Sequence, residues 1–338
     1  GVLCFLPQIA MLFLVLTLME ESGFLSRLAM LTDGFFARLG LNGRAVFSLL
    51  MGFGCTAAAV LTTRGLDDKK IQRRVMLLLP YIPCSAKLPV FLTLASSFFE
   101  NPFWAVVALY ALGVALSVLA AVLLRSGKPP HFVMELAPFQ ESDRIVVIKS
   151  LLFQLKQFII KVATIVLAFF LLSWLLSSFD FSFRMCTAEE SMLACLCGGL
   201  KFLFAPIGMG DWKIAYAALS GLIAKENVAG ALAMFYGGFP YSAASGFAFA
   251  VFMLACSPCV SAIAATAREA GWKRALLYAV CQTVSALLLS YLTYFALCGG
   301  AIWLAAGALV VGLLYGIGKK QVERIRRKRG NHPQKIYR

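Results

Sequence analysis

Between Val75 and Glu100 runs an apolar stretch long enough to cross a bilayer, and Pro80, Pro83 and Pro89 interrupt it. Each proline removes a backbone donor and clashes with the preceding turn, so a helix there breaks or kinks. Unsatisfied backbone is costly in lipid, and such a break survives only where protein or water covers it. The stretch PYIPCSAKLP at 80–89 carries Cys84 in its middle and Lys87 one turn on. A broken membrane helix bearing a soft sulfur ligand reads as a substrate site in a transporter. The plainer reading is a proline kink whose buried cysteine packs as a small hydrophobe.

Composition places this stretch in a membrane protein. Of 338 residues, 61% are hydrophobic and only 14% are charged. Charge is too scarce and apolar runs too long for a soluble domain. The expected fold is all-α, a polytopic transmembrane helical bundle containing broken or re-entrant helices. The formal charge of +15 is unevenly placed, and the tail 319–338 holds nine Lys/Arg and one acid. Such a tail reads as a cytoplasmic anchor that can also touch anionic lipid. Nucleic acid is not an expected partner, because no recognition motif accompanies the charge. The first apolar run, Val2 to Met19, has no basic n-region and no small-residue cleavage site, so it reads as a membrane helix rather than a signal peptide. The chain is expected to be part of a longer protein or one subunit of a split one. Most of its ten cysteines lie in apolar runs; only Cys186, Cys195 and Cys197 sit where a disulfide is conceivable.

The remaining segments follow in order. Residues 20–43 read as an interfacial amphipathic helix ended by Gly40 and Gly43. Residues 45–63 form a span interrupted by GFGC at 52–55. The loop 64–74 carries five basic residues and two acids and is assigned to the cytoplasm. Spans are expected at 75–98, 103–124, 151–178, 212–236, 246–267, 275–297 and 300–317, with a polar connection at 125–150. Counting sides leaves one crossing unmatched, which favours a re-entrant segment at 193–208. Residues 18–31 and 222–235 match weakly without gaps, and Pro83-Cys84-Ser85-Ala86 is echoed at 258–262. Duplicated halves with interrupted helices place a site between the halves. The division read from this is 1–125 for a first repeat, 126–150 for a cytoplasmic connection, 151–298 for a second repeat, and 299–338 for a final helix and basic tail.

Cys55, Cys84 and Cys259 share one property, a place beside an expected break. Thiolates suit soft or borderline divalent metals. Cys256 and Cys259, three apart, would share a helix face. A charge at the centre of a membrane helix costs roughly 2.5–3.5 kcal/mol on insertion scales. Lys87, Lys225 and Glu226 therefore need partners, water or an ion. Gln282 reads as helix–helix glue. No phosphate-binding GxxxxGK[ST] loop or HExxH pair is present, so no nucleotide site and no enzyme is expected within these residues.

GFGC at 52–55, TTR at 62–64, PYIPCSAKLPVF at 80–91, EESGFLSR at 20–27, GDWK at 210–213, AKE at 224–226 and SPCVSAIAATARE at 257–269 occur in the order of a known family. The ordered set resembles the membrane domain of the ferrous iron transport protein B (FeoB) family, over roughly residues 1–298. The resemblance implies two gate repeats and a bacterial inner-membrane importer of Fe2+, multi-pass, with a cytoplasmic C-terminus. It implies Fe2+ as substrate, with Cys55, Cys84, Cys259, Glu21 and Glu226 as the metal ligands. It also implies a cytoplasmic GTP-binding domain or subunit as partner, with room for a small cytoplasmic accessory protein and for self-association. Thr56 and Ala58 stand where the family usually has Asn and Pro. The alternative is a gate-fold membrane protein that carries a nucleoside-like solute or acts as a non-transporting partner.

Overall fold

The computed structural model describes residues 22–66, 68–125, 191–236 and 240–299, with scattered positions at 7–19 and 145–179. Glu20, Glu21, Cys186, most of the 151–178 span, the 300–317 span and the basic tail lie outside the described residues. Among the described residues there is no β-strand.

The first half contains α1 (Phe24–Arg38), α2 (Ala45–Gly54), α3 (Thr56–Thr62), α4 (Lys69–Leu78), α5 (Leu88–Phe98) and α6 (Pro102–Leu123). The second contains α7 (Met192–Gly198), α8 (Trp212–Ile223), α9 (Asn227–Phe235), α10 (Ala243–Ala255), α11 (Val260–Ala270) and α12 (Trp272–Gly299). Four described stretches are long and apolar enough to cross a bilayer: Lys69–Phe98, Pro102–Leu123, Ala243–Ala270 and Trp272–Cys298. The chain is a multi-pass helical membrane protein.

Helix α6 shows how one face is chosen. Its buried residues are Leu109, Gly113, Ser117 and Ala121, four apart and so in one row. The row is mostly small, which lets a neighbour approach closely. Phe103, Trp104, Val107, Val114, Val118 and Val122 are exposed on the other faces, as lipid requires. A Cβ at Gly113 would stand 2.9 Å from both Pro83 Cδ and the carbonyl oxygen of Tyr81. The missing side chain therefore makes room for the proline-rich break. At the end of α6, Arg74 of α4 donates to the carbonyl of Ala121 at 3.3 Å and to that of Leu39, just past α1, at 3.1 Å. A guanidinium shared by two helix C-terminal regions satisfies carbonyls that have no partner in their own helices.

One expected span takes a different form, and the segment read as re-entrant is short and broken. Residues 212–236 are not one helix: α8 has 12 residues and α9 has 9, separated at Ala224–Glu226. Crossing takes about 20 residues, so neither half spans alone. At 193–208 the helical part, α7, has 7 residues, followed by single 3₁₀ turns at Lys201–Leu203 and Ala205–Ile207. Pro206 and the left-handed Gly208 (φ 77) stop any continuation.

Candidate functional site

Four helix breaks carry the residues singled out above. Cys55 is extended (φ −145, ψ 116) between α2 and α3. Cys84 (φ −80, ψ 164) lies between the 3₁₀ turns Leu79–Tyr81 and Ser85–Lys87 that separate α4 from α5. Cys259 (φ −61, ψ 160) precedes α11, and Glu226 precedes α9. Each thus stands at the start of a helical segment, where backbone N–H groups lack intrahelical partners. The first break forms without a proline at position 58.

The breaks are knitted to one another. Ser85 Oγ donates to the carbonyl of Gly54 at 2.9 Å, joining the break at Cys84 to the one at Cys55. Lys87, 3% exposed, donates to the carbonyls of Pro80 at 2.8 Å and Leu254 at 2.7 Å. The carbonyl of Leu254 is free because the residue four places on is Pro258, which has no N–H. Lys87 thus satisfies backbone that proline leaves open in both halves of the chain. Lys225, also 3% exposed, donates to Cys256 Sγ. Cys259 Sγ lies 3.0 Å from Ser261 Oγ.

Several sequence readings are corrected here. Cys256 and Cys259 share no helix face, since the first ends α10 and the second begins α11. Lys225 and Glu226 are not neighbours around a helix but consecutive residues of a break. Lys225 has Cys256 as its partner, and Glu226 is half-buried with no ion-pair partner among the described residues. Gln282 is 4% exposed, and its Oε1 accepts no hydrogen bond, so it is not joined through that atom to a second helix. Cys195 and Cys197 are free thiols. Glu21 lies outside the described residues. Among the described residues, no three His, Cys, Asp or Glu side chains stand together as a closed metal site.

Cys55 is placed like Cys259 in the structure. Both open a helix, and the two helices they open, α3 and α11, pack on each other. The signal was in the sequence. Cys55, Ala58, Thr62 and Arg64 recur at the same spacing as Cys259, Ala262, Thr266 and Arg268. Arg64, at the end of this first unit, pairs with Glu269 at the end of the second.

These features define a polytopic helical membrane protein whose interrupted helices meet inside the bundle. A family model described as "Gate: Nucleoside recognition" matches residues 2–98 and 159–273. The chain is 34% identical over 301 residues to a protein named Fe(2+) transporter FeoB from Methanocaldococcus jannaschii, covering 82% of this chain and 45% of that one. It is 32% identical over 250 residues to the protein of that name from Campylobacter jejuni, covering 70% and 41% respectively. A Porphyromonas gingivalis protein named as an Fe(2+) transport protein A/Fe(2+) transporter FeoB fusion is 29% identical, over 87% of this chain and 42% of its own length. The chain spans about half the length of these curated relatives. No solved structure matches it. The chain belongs to the Gate family, as a membrane domain of the ferrous iron transport protein B type.

Proposed function

We propose that this chain forms the membrane path for Fe2+ import. The ion passes between two repeats, 1–125 and 151–298, along the carboxylates of Glu21 and Glu226 and the thiols of Cys55, Cys84 and Cys259. The observation that supports this reading is that the three thiols stand at helix breaks joined to one another: Ser85 Oγ beside Cys84 donates to the carbonyl of Gly54 beside Cys55 at 2.9 Å, and the helices opened by Cys55 and Cys259 pack together. The names of the relatives support Fe2+ as cargo. A path differs from a storage site in its ligands: binding must be strong enough to admit the ion and weak enough to release it. Thiols met in succession suit that better than a closed cage.

In this reading the chain is a transporter portion, driven by a cytoplasmic GTP-binding domain or subunit. The fusion relative supports a small cytoplasmic accessory protein as a further partner. In this reading the basic loop 64–74 and the basic tail lie on the cytoplasmic side of a bacterial inner membrane, as the positive-inside rule favours.

Fe2+ flux into proteoliposomes, followed with an internal chelating dye, tests the proposal. Replacing Cys55, Cys84 and Cys259 together by serine should abolish thiol-dependent flux. Undiminished flux in that variant sinks the reading. The description of the family model favours a second reading, a nucleoside-like solute. Uptake of a labelled nucleoside that is indifferent to thiol-blocking reagents would support it instead.

A further inference from the structure

We propose that Arg64 and Glu269 form a latch that closes the thiol path at the end facing the basic segments 64–74 and 268–274. The two side chains pair across the two halves of the chain. They stand at the ends of the helical segments that Cys55 and Cys259 open. Helix α3 runs from Thr56 to Thr62 and continues as the 3₁₀ turn Thr63–Gly65, and α11 runs from Val260 to Ala270. The two helices pack on each other, and Ala59 and Val60 of α3 share a packed cluster with Ala265 of α11. At the opposite end Thr56 and Pro258, the neighbours of the two cysteines, line one cleft. The helices therefore run the same way, with thiols at their starts and an ion pair at their ends. At the rise of an α-helix, the stretch from Cys259 to Glu269 spans about 15 Å.

Two features suit this pair to opening and reclosing. The first is the contact it guards. Ala59 and Val60 on α3, and Ala262, Ala265 and Thr266 on α11, are buried. Small residues bring helices close, so an ion that leaves the thiols between α3 and α11 must part them. The second is the asymmetry of the bond. The side chain of Arg64 is 62% exposed and that of Glu269 only 9%. An ion pair with one partner in water contributes little to stability, so it restrains the two helices without locking them. Glu269 is also faced by Gln72 of α4, whose Nε2 donates to Oε2 at 3.4 Å. The carboxylate thus keeps a donor when Arg64 swings into solvent, and it stays where Arg64 can find it again. While open, that carboxylate attracts a departing cation, so opening and release favour each other. The proposal rests on the thiol path described above and adds its closure.

Thiol labelling of the full chain in inverted membrane vesicles tests the latch. A membrane-impermeant thiol reagent is applied from the side of the basic segments, and the rates at Cys55 and Cys259 are read by mass spectrometry of their peptides. Arg64→Gln should raise both rates roughly two- to fivefold, the scale of one exposed ion pair. Glu269→Gln should do the same. Arg64→Lys, which keeps the charge, should stay near the native rate. The midpoint of thermal unfolding should not move in Arg64→Gln, because that side chain is mostly in water. Equal rates in the native protein and Arg64→Gln overturn the latch. Faster labelling accompanied by a lower unfolding midpoint also overturns it, since that marks general loosening. Cd2+ present during labelling should shield both cysteines in Arg64→Gln. Absence of shielding overturns the thiol path, while the rates without Cd2+ still decide the latch, so the two failures are separable.

Discussion

The ammonium of Lys87 lies 2.7 Å from the carbonyl oxygen of Leu254, so a cation from the break in one half holds the backbone of the break in the other. Its second carbonyl, from Pro80 at 2.8 Å, belongs to its own break. A buried lysine beside a proposed cation path would be a liability if its charge faced the ion. Here that charge is directed at backbone carbonyls.

Removing Lys87 should therefore cost stability before it costs transport. Lys87→Met leaves the carbonyls of Pro80 and Leu254 without this donor, at about 1–3 kcal/mol for each. The midpoint of thermal unfolding in detergent should fall clearly. Lys225→Met, which breaks a single contact to a sulfur, should lower it less. An unchanged midpoint in Lys87→Met would show that water satisfies both carbonyls.

How far the sequence disclosed this arrangement depends on the kind of signal. Proline and glycine are local punctuation, so the breaks at Cys55, Cys84 and Cys259 were legible before any coordinates. The break at Lys225–Glu226 was not, because no proline or glycine stands within Ala224–Asn227. Its nearest signal was a pair of adjacent charges inside an apolar run, which an exposed helix could also have held. Tertiary partners were equally hidden. No rule of spacing connects Lys87 to Leu254 or leaves Gln282 without a donor, since both depend on how α5, α10 and α12 meet. The likeness of Cys55 to Cys259 was readable from four residues, Cys, Ala, Thr and Arg, that recur at a common spacing.

Thiol substitutions separate ligation from packing. Cys84→Ser and Cys259→Ser each exchange a soft ligand for a hard one with little change in volume. Both should cut Fe2+ flux roughly tenfold or more while the protein still accumulates in the membrane. Cys298, exposed near the end of α12, serves as the control, and Cys298→Ser should be nearly silent. Equal losses at all three positions would indicate general damage.

Gly113 offers a test of the packing behind the break. A methyl group there would meet Pro83 Cδ and the carbonyl oxygen of Tyr81, each at 2.9 Å. Backbone and a proline ring cannot swing aside as a flexible side chain can. Gly113→Ala should cost about 1–3 kcal/mol through overpacking, and Gly113→Leu should prevent accumulation. Ser117→Ala, one turn along the same face, should be mild. A neutral Gly113→Leu would mean that α6 does not press on the break.

Glu226 allows the ion path and the structural ion pair to be told apart in one variant. The residue is half-buried at the start of α9, and no cation pairs with it among the described residues. The nearest lysine in sequence, Lys225, is engaged with Cys256. A carboxylate held inside a membrane protein without a counter-charge is costly, and a passing divalent cation removes that cost while it is bound. Glu226→Gln keeps the shape and the acceptor oxygen but removes the charge. If the carboxylate serves the ion, Fe2+ flux per molecule should fall while abundance and unfolding midpoint stay near those of the native protein. If its role is structural, abundance should fall and the flux of each surviving molecule should hold. The ratio of flux to abundance decides between them, because ligation acts on the numerator and folding on the denominator.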